Sequence, residues 1–270
     1  MAKSRFKSSF ISDRPALAKF NPNLVCHSWQ ELETYTNNCQ ACGLHKSRSQ
    51  VVAGRCNGNR EADLLIIGEA PGRVEDERGI AFVGDSGKLL DIMLDSVGLE
   101  SWYITNVVRC RPLGNSTLVS PKGYRSAYRY NGGKGLPASD PAPVPTTGGT
   151  PATDWLHNAL SRNPTKAECQ SCWGFLQSEI ALVKPRAILV LGKVAARTLL
   201  GTTAKFEKLM RTKHQYFEYP VWVAYHPAYL LRQPQLTEHS PKWEVWQVLC
   251  QVKLYLDGLR REDNERPLLN

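Results

Sequence analysis

Nowhere in this 270-residue chain do apolar side chains run on for the roughly 20 positions that a membrane-spanning helix needs. No helical membrane anchor is expected. Acidic residues are also in short supply: 25 against 34 lysines and arginines, for a net charge of +9 and a pI of about 9.2. That balance favours polyanionic partners, nucleic acid first. The opening "MAKSRFKSSFISDRPALAKF" is basic but has no apolar core, so it does not read as a secretory signal. Asp13 and the prolines after it suit a mitochondrial presequence poorly. Residues 1–25 are expected to be a flexible basic leader on a cytoplasmic protein. The phosphate-loop pattern G-x-x-x-x-G-K-[ST] is missing too. "GEAPG" does not match it, and "GDSGKL" lacks its first glycine and its hydroxyl, which argues against ATP binding.

Four short apolar runs are present: "DLLIIG" (63–68), "WYITNVV" (102–108), "AILVLG" (187–192) and "VWVAYH" (221–226). Their length and their β-branched and aromatic content predict buried strands. Between them lie helical patterns. Leu89, Leu90, Met93, Leu94 and Val97 share one face, "ECQSCWGFLQSEIALVK" and "KVAARTLLG" read as helices, and Trp243, Trp246, Leu249, Val252, Leu256 and Leu259 recur at spacings of three and four. Alternating strands and helices predict an α/β, three-layer sandwich around a central four-stranded, mainly parallel sheet. Ligands of such sheets sit at the carboxyl ends of the strands, where Glu69, Asn106 and His226 fall. From Pro121 to Pro151 glycine and proline make up 12 of 31 residues, with no periodicity, which predicts a long loop. Within it Lys122, Arg125, Arg129 and Lys134 alternate with Tyr124, Tyr128 and Tyr130, a pattern suited to phosphates and stacked bases.

Eight cysteines in a cytoplasmic protein point to metal rather than to disulfides. Cys39-x-x-Cys42 and Cys169-x-x-Cys172 form two pairs, but they stand much farther apart than zinc-ribbon pairs do. Cys110 follows a strand end. The cysteines by themselves are compatible with a [4Fe–4S] cluster, a structural zinc, or several buried small side chains. Cys26, Cys56 and Cys250 read as the last of these.

Taken in order, "CQACGLH", "GEAPGRVED", "FVGDSGKLLD", "YITNVVRCRPLGN", "SCWGFLQSEIALVKPRAILVLGKVAARTLLG" and "YHPAYLLR" resemble the family 4, iron–sulfur, uracil-DNA glycosylases from about Cys39 to Arg232. The resemblance implies a monomeric uracil-DNA glycosylase-like domain over 26–262, interrupted by an insertion at about 113–165 and followed by a tail at 263–270. It implies a [4Fe–4S] cofactor on Cys39, Cys42, Cys110 and Cys172, with Cys169 a weaker candidate. The 61 residues between Cys110 and Cys172 depart from the family's short spacing, and Leu113 stands where proline is common.

The activity so implied is hydrolysis of the N-glycosidic bond of uracil in single- or double-stranded DNA, leaving an abasic site. A flipped base is read on its Watson–Crick edge. The side-chain amide of Asn106 can donate to uracil O4 and accept from N3–H. Phe82 would stack on the ring, His226 would donate to O2, and Gly68 and Ala70 would line the pocket. Glu69 would position or activate water, with Glu75 able to share that work. Backbone amides around Gly84, Ser86 and Gly87 would hold DNA phosphates. Leu230 or Leu231 would act as a minor-groove wedge, with Arg232 on phosphate. Two other readings remain: a non-catalytic DNA-binding repair scaffold on the same fold, and a glycosylase for another damaged or modified base.

Overall fold

The computed structural model describes residues 26–114, 161–233 and 237–265. The leader and the Gly/Pro-rich loop, with Lys122, Arg125 and Arg129, lie outside the described residues.

Six strands form one sheet: β1 (Arg55–Cys56), β2 (Leu64–Gly68), β3 (Trp102–Asn106), β4 (Ala187–Leu191), β5 (His214–Tyr216) and β6 (Tyr219–Ala224), in the order β1-β3-β2-β4-β6-β5. The four inner strands are mutually parallel and coincide with the four apolar runs. The expectation of four strands is corrected by two antiparallel edges, β1 on β3 and β5 on β6. Strands of two and three residues carry too few side chains to declare a period.

The inner strands alternate their side chains between two cores. Leu64, Ile66, Ile104, Leu189 and Leu191 face α3 (Asp85–Ser96) and α8 (Pro241–Glu265), whose Leu90, Leu94, Leu249 and Val252 are buried against them. Leu65, Ile67, Ile188 and Val190 face α4 (Lys166–Val183) and α5 (Lys193–Leu200), with Leu176, Ile180 and Leu199. Burial on both faces is why these strands read as continuous apolar runs. The remaining helices are short: α1 (Trp29–Asn37), α2 (Arg73–Arg78), α6 (Phe206–Met210) and α7 (Pro227–Leu230). No helix among the described residues is long and apolar enough to cross a membrane.

Contacts mark the end of the last helix and the base of the insertion. Helix α8 continues through Glu265, past the expected domain end at 262. The insertion is pinched shut at its base: Leu113 bridges Ser161, the Arg162 N–H donates to the Pro112 carbonyl (3.1 Å), and the Arg162 guanidinium donates to the Leu113 carbonyl (3.0 Å). Thr165 then caps α4. Its hydroxyl accepts from the Glu168 N–H (3.2 Å), while Glu168 accepts from the Thr165 N–H (2.7 Å) and pairs with Arg162 (2.7 Å). The guanidinium holds the Glu168 carboxyl down at about 2. This closure lets Cys172 return to Cys110 across 61 intervening residues.

Candidate active site and cysteine cavity

The last residues of β2 and β3, Gly68 and Asn106, are register partners. Phe82 and Asn106 both close over Gly68. A Cβ on Gly68 would lie 2.4 Å from the Phe82 ring and 2.5 Å from Asn106 Oδ1, so only glycine fits there. Phe82 holds φ at +54°, a left-handed conformation rare for a bulky side chain and costing about 1–3 kcal/mol. Residues held this way collect at functional sites. Asn106 is 3% exposed, and its Oδ1 has no hydrogen-bond partner among the described residues. A buried acceptor left alone costs free energy, so this atom is poised for a donor from outside the protein.

His226 follows β6 and caps α7, which packs against α3 and so carries the imidazole to Phe82, ring centroids 5.6 Å apart. The Ala228 N–H donates to its Nδ1 (3.2 Å). The ring proton of the neutral form therefore sits on Nε2. Burial pushes the imidazole down to about 4, so it is neutral near pH 7. Gly192, at the end of β4 with φ +88°, leaves the room that the His226 Cβ occupies; nothing about "AILVLG" distinguishes it from an ordinary helix-entry glycine.

Of the four acidic side chains at 69–77, three are engaged in structure, Glu77 with Arg73 (3.0 Å). The Glu75 carboxylate accepts from the Gly72 N–H (3.1 Å) and the Gly84 N–H (2.8 Å), and Asp76 accepts from Ser49 N–H (3.1 Å) and Oγ (2.7 Å). Glu75 is thus a brace between α2 and the start of α3, not a second base. Of these four, only Glu69 has a carboxylate without a hydrogen-bond or ion-pair partner among the described residues, and burial raises it to about 7. A carboxyl titrating near neutrality suits general-base work. Ala70, beside it, packs against the core of the α4 face.

The phosphate-binding expectation for 84–87 narrows. The Gly84 N–H is taken by Glu75, and Gly87 is buried with its N–H donating to the Gly84 carbonyl (2.9 Å). Ser86 keeps an amide without an acceptor among the described residues. Leu230 is 0% exposed within the core, whereas Leu231 is 48% exposed, with Arg232 on the surface beside it.

On the far side of β3, Cys39, Cys42, Cys110 and Cys172 line one cavity with His45, Arg48 and Arg109. Cys169, buried and bonded to Thr198, does not line it. The Arg48 guanidinium donates to the Cys39 carbonyl (2.9 Å) and to Cys110 Sγ (3.5 Å), tying the first cysteine segment to the third. Burial pushes the Cys42 and Cys110 thiols up, and that of Cys172 up to about 12. Among the described residues no three metal-ligating side chains converge tightly enough to hold a single ion. Beneath the cavity Arg109 pairs with Glu179, which also accepts from the Tyr103 hydroxyl (2.8 Å), and Arg109 donates to Thr105 Oγ1 (2.6 Å).

The profile of the Uracil DNA glycosylase superfamily matches residues 56–250. The chain belongs to that superfamily. It is 32% identical to the type-4 uracil-DNA glycosylase of Archaeoglobus fulgidus, over 74% of this chain and 82% of the relative. It is 30% identical to that of Pyrobaculum aerophilum, over 77% and 86%. The type-4 enzyme of Thermotoga maritima is 29% identical over 72% and 78%. This superfamily member departs from a purely legible site in Arg55, which no motif announced and which contacts the backbone of Phe82.

Proposed function

We propose that the protein excises uracil from DNA by hydrolysing its N-glycosidic bond. The observation that carries this reading is the buried, partnerless Oδ1 of Asn106, set beside Phe82 and His226 at the ends of parallel strands. A uracil flipped from the helix stacks on Phe82. Its N3–H donates to Asn106 Oδ1, and the Asn106 amide donates to O4. Cytosine presents the opposite pattern and leaves both groups of the amide unsatisfied. As the C1′–N1 bond breaks, its electron pair goes to the base. The neutral His226 donates from Nε2 to O2 and stabilises the leaving anion. Glu69 takes a proton from the water whose oxygen joins C1′, and its negative charge favours the cationic sugar. Leu231 fills the space the base vacates, with Arg232 and the Ser86 amide on the DNA backbone.

Release of free bases from single- and double-stranded oligonucleotides carrying uracil or other altered bases tests this. Uracil release that leaves an abasic site is expected. Folded protein that binds DNA and releases no base would instead favour the scaffold reading.

The pH profile gives a second prediction. With Glu69 near 7, only its ionised form can accept a proton, so single-turnover cleavage should rise with pH through about 7. Glu69→Gln should be slower and should lose that limb. A limb that persists in the variant would assign the base elsewhere.

The cysteine cavity is read as the seat of a [4Fe–4S] cluster, because four thiols line one shared space and such a cluster needs four thiolates. Cys39, Cys42, Cys110 and Cys172 would hold it. When bound it supplies a covalent tie among three chain segments, and glycosidic hydrolysis asks no electrons of it. Anaerobically purified protein should be brown and contain iron and sulfide. Cys110→Ser and Cys172→Ser should lose the colour, and Cys169→Ser should keep it. Stoichiometric zinc without iron would overturn the assignment.

A further inference from the structure

We infer that Arg55 is a positioning residue of the active site, holding Phe82 in the left-handed conformation that puts its ring over Gly68 and Asn106. The inference rests on the reading of Phe82 as the stacking surface for the flipped base. Arg55 lies on edge strand β1, paired with Ile104 of β3, two residues before Asn106. Its guanidinium sits over the Trp102 ring, 4.9 Å from the centroid, and bonds Asp91 of α3 at 2.6 Å. The same group donates from Nε to the Ala81 carbonyl (3.0 Å) and from Nη2 to the Phe82 carbonyl (3.1 Å).

These contacts surround a strained residue. The turn into Phe82 is tied to the preceding segment by the Ala81 N–H on the Ala53 carbonyl (2.8 Å). From the other side the Phe82 carbonyl presses on α3, where a Cβ on Gly87 would lie 1.8 Å from its oxygen. Arg55 thus satisfies two successive carbonyls of a turn that neither strand nor helix completes, while its bond to Asp91 ties that turn to α3. A planar guanidinium can do all of this at once because its donors point in fixed, divergent directions; a lysine has one nitrogen to share among three oxygens. Arg55 itself touches no substrate in this arrangement and acts through Phe82.

A double-mutant cycle tests it, with Arg55→Met, Phe82→Ala and the pair, read by single-turnover uracil release and by affinity for a uracil-free oligonucleotide. Arg55→Met should slow release by roughly ten- to a hundredfold, the scale of a displaced catalytic contact, and leave uracil-free binding unchanged. In the Phe82→Ala background it should add nothing further. Losses that multiply, or an Arg55→Met rate equal to wild type beside a slow Phe82→Ala, would overturn the inference while leaving the stacking role of Phe82 standing. A wild-type rate for Phe82→Ala would remove that stacking role and the inference with it. If Arg55→Met does not fold, Arg55→Lys enters the same cycle: coupling to Phe82 supports the assignment, and independence overturns it.

Discussion

Alanine at Asn106 should leave a folded protein whose single-turnover release of uracil is slower by about 10²–10³, the usual loss for one hydrogen bond made to developing charge or to its bearer. Folding should survive because Oδ1 bonds nothing among the described residues, so no protein donor is stranded when it goes. His226→Ala should lose a similar factor for a different reason. It removes the Nε2–H aimed at the leaving anion, and with it the acceptor for the Ala228 N–H that caps α7. A stability cost of about 1 kcal/mol should accompany the second variant and not the first. Single-turnover kinetics beside chemical denaturation separates the two effects. Rates near wild type in either variant would remove that side chain from the reaction.

Glu179→Ala should destabilise the fold by about 3–5 kcal/mol, because it leaves the guanidinium of Arg109 buried without its counter-charge. Arg109 is 4% and Glu179 1% exposed. Tyr103 loses its acceptor in the same variant. Replacing both Arg109 and Glu179 with apolar residues of similar size should be far milder, since no charge is then stranded. Urea unfolding of the single and double variants measures this. A single variant within 1 kcal/mol of wild type would show that the pair is hydrated or replaced. Because Arg109 also lines the cysteine cavity, Glu179→Ala should in addition weaken retention of the proposed cluster.

The four inner strands, the longer helices that pack on them and the candidate residues at the strand ends could be read from the chain, whereas the short helices α2 and α6 could not. A strand buried on both faces must be apolar throughout, and a helix on a sheet must carry a stripe at spacings of three and four; both constraints are local and leave a visible trace. For the same reason the ordered cysteine and glycine motifs were legible: their spacing along the chain is part of what they do. Other decisions depended on which distant residues meet. Whether Glu75 or Glu69 is available rests on the Gly84 N–H, nine residues from Glu75, and only the fold brings the two together. Leu230 and Leu231 are chemically identical neighbours, and the rotation of a single helical turn against α3 buries one and exposes the other. Edge strands of two and three residues have no period to detect. Arg55 is an ordinary basic residue in the sequence and becomes a brace because β1 lies alongside β3, close to the turn that carries Phe82. The sequence by itself determined the inner strands, the long helices and the chemical inventory, because those follow from side chains near one another in the chain. Which member of that inventory is free to act was decided by tertiary contacts, because a carboxylate, an amide or a leucine is made available or unavailable by neighbours far away along it.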